Sequence, residues 1–177
     1  MGKRKQFPAT GLLPGMSRSD LVRRIKVPPV KEDAIFMQLA LDAGESVRGA
    51  TGDNPWVGCV ITHEGKIVAT GSTQPPGHPH AEVMAIQAAE SAGFDIRECE
   101  LFVTLEPCAT QGRTPPCSTL IIKKRPRRVV IAHKDPHPEV NGKGIEAIQN
   151  EGIPVELGLL ASQAEKSLGD WLKRFSP

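Results

Sequence analysis

The chain has 177 residues, a net charge of +2, four cysteines and 4% aromatic residues. That length suits one domain able to bury its own core, and no run approaches the roughly 20 consecutive apolar residues that cross a bilayer. The N-terminus is charged and has no apolar h-region, so neither a secretory signal nor a membrane partner is expected.

The charge is unevenly placed. Residues 1–31 carry eight Lys/Arg and one Asp, a balance of +7, whereas residues 32–177 carry 14 Lys/Arg and 19 Asp/Glu, a balance of −5. A mildly acidic body is a poor match for a phosphate backbone, whose recognition rests on neutralising many charges, so nucleic acid is not an expected partner.

The elements follow in order. Residues 1–31, with Pro8, Pro14, Pro28 and Pro29, read as a flexible basic arm, and residues 32–177 as the ordered domain. Ala34, Met37, Ala40 and Leu41 recur at helical spacing and predict a first helix ending before Gly49. Val57–Thr62 and Lys66–Thr70 are β-rich runs around His63-Glu64-Gly65, a hairpin signal. Pro79–Ala92 is alanine-rich and helical, Leu101–Leu105 a buried strand and Pro116–Lys123 a short helix. Arg128–Ala132 reads as a strand, Lys143–Asn150 as a helix, Pro154–Leu157 as a strand and Ser162–Phe175 as a closing helix. Strands alternating with helices predict an α/β sandwich, its sheet opened by one hairpin and continued by parallel strands.

The chemistry sits in His80-Ala81-Glu82, Pro107-Cys108 and Cys117. One imidazole and two thiolates can hold a Zn²⁺ and leave its fourth position open for water, as in catalytic sites. Glu82, two residues from the imidazole, is placed to move protons. The set resembles the H-x-E…P-C-x-x-C signature of zinc-dependent base deaminases, with eight residues between the cysteines in place of two. Pro79 and Pro116 are expected at helix starts, where the positive helix end would favour a Cys117 thiolate. Glu106 is expected to brace the site through hydrogen bonds. His63, His133 and His137 read as loop or surface histidines, and Lys123–Arg128 as a solvated basic cluster. With two cysteines in a ligand pattern, and Cys59 and Cys99 in or beside strand-like runs, a reduced, cytoplasmic protein is expected.

From about Glu32 onward the chain resembles a known family, the deaminase domain of the bifunctional riboflavin-biosynthesis deaminase/reductase. The resemblance is carried by Asn54-Pro55-Trp56-Val57-Gly58-Cys59-Val60, His80-Ala81-Glu82-Val83, Thr104-Leu105-Glu106-Pro107-Cys108 and Gly112-Arg113-Thr114-Pro115-Pro116-Cys117. The segment Asp135–Gly144 is similar to that family's DPNPxVxGxG. The resemblance implies a three-layer, cytidine deaminase-like fold with a mixed five-stranded sheet flanked by helices. It also implies hydrolytic deamination of 2,5-diamino-6-ribosylamino-4(3H)-pyrimidinone 5′-phosphate, a phosphorylated aminopyrimidine. Its implied substrate contacts are Asn54, Arg113, Thr114, Thr73, Asp135 and Asn141. A homodimer or homotetramer is implied, with any reductase a separate protein.

Three positions depart from the family pattern. Thr73 stands where a histidine is usual, Ala109-Thr110 where Ser-His is usual, and Met84 where a histidine is frequent. Zinc chemistry survives these changes, but substrate recognition is put in question. The alternatives are another amino-heterocycle (a nucleoside, free base or secondary metabolite) or, further off, a base within a nucleic acid.

Overall fold

The computed structural model describes residues 31–111 and 115–175. The basic arm lies outside these residues. The described chain runs α1 (Lys31–Glu45), β1 (Gly58–His63), β2 (Lys66–Ser72), α2 (Ala81–Ser91), β3 (Cys99–Leu105), α3 (Cys117–Lys124), β4 (Arg128–His133), α4 (Lys143–Asn150), β5 (Val155–Leu157) and α5 (Ala161–Leu172). Short 3₁₀ turns precede β3 and follow α5.

One mixed sheet of five strands has the order β2-β1-β3-β4-β5. β1 pairs antiparallel with β2 and β3, while β3–β4 and β4–β5 are parallel. The hairpin forms at the expected place: Glu64 and Gly65 both adopt positive φ, at 50° and 72°, the conformation that a two-residue turn matching strand twist requires. The elements begin and end within a few residues of their expected positions.

Strand alternation supplies two cores. Val60, Phe102, Val130 and Ala132 face α1 and α5, meeting Phe36, Met37, Ala40, Leu41 and Ala164. Cys59, Ile61, Leu101, Val103, Val129 and Ile131 face the other way, onto Ala85, Ile86 and Ala89 of α2, Ile121 of α3 and Ile148 of α4. The result is the expected three-layer arrangement. Helix α1 lies so close to β1 that a Cβ at Gly58 would stand 1.8 Å from the Ala40 carbonyl oxygen.

The basic cluster differs from expectation. Lys124 pairs with Glu90, and Arg125 lies 3.9 Å from Glu151. Arg128 is largely buried and bonds Asp33 at 2.7 and 2.8 Å and Glu100 at 3.0 and 3.1 Å. Glu156 stands 3.5 Å away, in ion-pair range without a hydrogen bond. Lys123, Arg125 and Arg127 are exposed, as expected, whereas Lys124 and Arg128 are partly buried. A basic run at the start of a strand meets acids on its neighbours, and local sequence gives no sign of them.

Candidate active site

Sheet topology gathers the site at one end. β3 and β4 run parallel, so Glu106–Cys108 and Asp135 emerge side by side. β1 is antiparallel to β3, which brings Asn54–Val57 to the same end, beside Thr73 after β2. A cavity of about 220 Å³ opens there, lined by His80, Glu82, Glu106, Cys108, Asn54, Thr73, Thr110 and Asp135. This is the crevice beyond the carboxyl ends of parallel strands where such sheets commonly bind ligands.

His80 is the N-cap of α2, and Cys117 is the first residue of α3 behind an N-capping Pro116. Each proline therefore sits one place or more before the first helical turn, upstream of the expected position. His80 Nδ1 lies 3.7 Å from Cys108 Sγ and 3.4 Å from Cys117 Sγ, and the three ligand atoms all fall within 4.8 Å of one another. With Zn–S at about 2.3 Å and Zn–N at about 2.0 Å, tetrahedral S and N ligands stand roughly 3.6 Å apart. The cluster fits zinc, and His80, Cys108 and Cys117 could hold it.

The helix end acts on a different thiol from the one expected. The Cys117 N–H donates to Cys108 Sγ at 3.2 Å, and the Ser118 N–H to the Cys108 carbonyl at 3.1 Å. The hydrogen bond from the Cys117 side chain, with help from His80 and the Cys117 N–H, draws the Cys108 thiol down to about 4. Cys117 is raised, chiefly by that same bond and then by its burial. His80 is raised by its contact with Cys108.

Glu82, in the first turn of α2, is 3% exposed. Burial pushes its carboxyl up to about 7, and the negative Cys108 sulfur adds to the rise. A buried carboxyl poised near neutrality can both take and give a proton.

Glu106 is a brace, as expected. Its Oε2 accepts the N–H groups of Asp135 at 3.3 Å and Gly142 at 2.9 Å, and its Oε1 those of Gly144 at 2.9 Å and Ile145 at 3.2 Å. One buried carboxylate thus caps α4 and fixes the β4–α4 loop to the end of β3.

Of the implied substrate contacts, Asn54, Thr73 and Asp135 line the cavity. Asn54 is held at the cavity by a turn in which the Thr51 hydroxyl donates to its carbonyl at 2.7 Å. The Thr73 hydroxyl is occupied by Val57, accepting its N–H at 3.1 Å and lying 3.4 Å from its carbonyl. Asp135 is buried, and one carboxylate oxygen accepts the His137 N–H at 2.8 Å. Desolvation raises it to about 6. Asn141 is exposed and outside the cavity lining, whereas Arg113 and Thr114 lie outside the described residues. The cavity also takes in His137, Glu139, Val140 and Trp171. His137 falls inside the Asp135–Gly144 segment, which was the available signal. Trp171 arrives from α5, a placement only the fold reveals.

Residues 30–133 match the family described as the cytidine and deoxycytidylate deaminase zinc-binding region. The riboflavin biosynthesis protein RibD of Aquifex aeolicus is 46% identical over 135 residues, covering 76% of this chain and 37% of that protein. The structure of Acinetobacter baumannii RibD superposes with a TM-score of 0.78 at 39% identity, covering 82% of this chain and 40% of that one. A Thermotoga maritima diaminohydroxyphosphoribosylaminopyrimidine deaminase/5-amino-6-(5-phosphoribosylamino)uracil reductase gives 0.77 at 40% identity, covering 81% and 41%. The chain therefore spans well under half the length of these relatives. With its three-layer fold, its imidazole–dithiol cluster and this match, the chain belongs to the zinc-binding cytidine and deoxycytidylate deaminase family of hydrolytic deaminases.

Proposed function

We propose that the chain deaminates 2,5-diamino-6-ribosylamino-4(3H)-pyrimidinone 5′-phosphate on the route to riboflavin, with zinc held by His80 Nδ1, Cys108 Sγ and Cys117 Sγ. The observation that supports this most is the cluster's spacing, 3.4 and 3.7 Å, in a cavity shared with buried Glu82, in a chain 46% identical to a RibD protein over most of its length. The reductase activity named for one relative is not proposed for these residues.

When bound, zinc supplies the Lewis acidity that makes water nucleophilic near neutral pH. Glu82 takes a proton from the attacking water as its oxygen bonds the amino-bearing ring carbon, and passes that proton to the adjacent ring nitrogen. It then carries the second water proton to the amine. The C–N bond breaks, ammonia leaves, and the water oxygen remains as the ring carbonyl. Glu106 holds the cavity loops in place, and Asn54 and Asp135 offer donor and acceptor groups for orientation. Arg113 is proposed as the cation for the phosphate, with Thr114 beside it.

A second reading keeps the chemistry and changes the heterocycle. It is favoured by Thr73, whose hydroxyl is taken up by the Val57 backbone. The test is ammonia release by zinc-loaded protein from the diaminopyrimidinone phosphate and from a panel of other aminated heterocycles. Release from the former with the highest kcat/KM is expected; none from it, with turnover of another heterocycle, would transfer the assignment to the second reading.

A further inference from the structure

We propose that His137 is a specificity-determining residue whose Nε2–H donates to a ring carbonyl of the substrate, selecting aminopyrimidinones over amino-heterocycles that lack that oxygen. This deepens the deaminase reading above and rests on it. The cavity is rich in carboxyl groups: Glu82, Asp135 and Glu139 line it beside Glu106, whose oxygens are taken up by backbone N–H groups, and a carboxylate, once ionised, accepts only. Two of the donors there are engaged elsewhere, which leaves the Asn54 amide, the Thr110 hydroxyl and the His137 ring facing the cavity's acceptors. The Trp171 indole N–H goes to the Asp53 carbonyl at 3.3 Å, and the Thr73 hydroxyl lies against Val57. A ligand carbonyl brought into such surroundings needs a donor, or it is buried without a partner.

His137 is the donor whose orientation is fixed. Its Nδ1 accepts the Glu139 N–H at 3.2 Å, which leaves the ring proton on Nε2. Its backbone N–H is held by Asp135 at 2.8 Å, and its carbonyl accepts the N–H groups of Val140 at 2.8 Å and Asn141 at 3.0 Å. Its ring packs edge-on against Phe175, centroids 4.6 Å apart. A donor locked in rotamer and tautomer discriminates by leaving a mismatched ligand unpaired, which a freely rotating hydroxyl does less well.

The probes are isocytosine, which carries the carbonyl, and 2-aminopyrimidine, which lacks it. Their binding to zinc-loaded protein is measured by calorimetry for the wild type and for His137→Ala, His137→Phe and His137→Gln, with zinc content and thermal melting checked for each. Phe keeps a ring against Phe175 and removes the donor; Gln restores an amide donor without the ring. A loss of about tenfold for isocytosine is expected in the Ala and Phe variants, with partial recovery in the Gln variant and less than about twofold change for 2-aminopyrimidine. Equal losses for both probes, full affinity in the Phe variant, or no isocytosine binding by the wild type would overturn the proposal. If isocytosine binding depends on His137 but the diaminopyrimidinone phosphate yields no ammonia, the proposed function fails and this inference stands.

Discussion

Glu82 and Asp135 are both carboxyls whose ionisation the protein resists, and substitution separates their roles. Glu82→Gln preserves shape and removes the group that relays protons. Zinc content should stay at one ion per chain while turnover falls by roughly 10²-fold or more, checked by metal analysis beside an ammonia assay; an unchanged rate would contradict the role given to Glu82. Asp135 has a pKa near 6 against an ordinary value of 3.8. The folded state therefore holds its proton more tightly than the unfolded chain, and ionisation costs stability as pH rises from about 4 to about 6. Asp135→Asn keeps an acceptor for the His137 N–H and removes that penalty. Its melting temperature relative to wild type should climb across this interval and level off above it; a difference independent of pH would disprove the assignment. Glu82, His80 and Cys108 were legible because each lies in a short contiguous motif. The engagement of Thr73 was not, because its partner Val57 lies sixteen residues away, just ahead of the neighbouring strand.

Among elements, the junction of β3 with α4 is tightly built. A Cβ at Gly144 would stand 2.0 Å from the Pro107 carbonyl oxygen and 3.3 Å from Glu106 Oε1. Gly144→Ala should therefore force the helix away from the strand end, with a loss of about 1–3 kcal/mol and of activity, since the displaced segment carries the bonds to Glu106. Chemical denaturation and an activity assay would check both, and an unperturbed variant would count against the brace. Helices and strands were readable from periodicity, and their order implied the sheet. Helix starts were less so: His80 is extended at φ −79° and ψ 170°, so the first turn begins after the imidazole, and Pro79 alone gave no sign of that offset.

Over the whole molecule, Arg128 ties together α1, β3 and β5 from its place at the start of β4, with Asp33 only 3% exposed. Removing one partner of a buried ionic group leaves the others uncompensated. Arg128→Met should cost about 3–5 kcal/mol, read by urea unfolding, and adding Asp33→Asn should restore part of it. A loss under about 1 kcal/mol would mean the cluster is solvated after all. This contact joins positions 95 residues apart, which is why the basic run looked solvated in the sequence. The same long reach governs the cavity. Trp171, on the last helix, supplies one of its walls and hangs by its indole from Asp53. A shortened protein ending ahead of α5 would keep every zinc donor yet expose the reaction chamber to bulk water, so a well-behaved truncation need not be a competent catalyst.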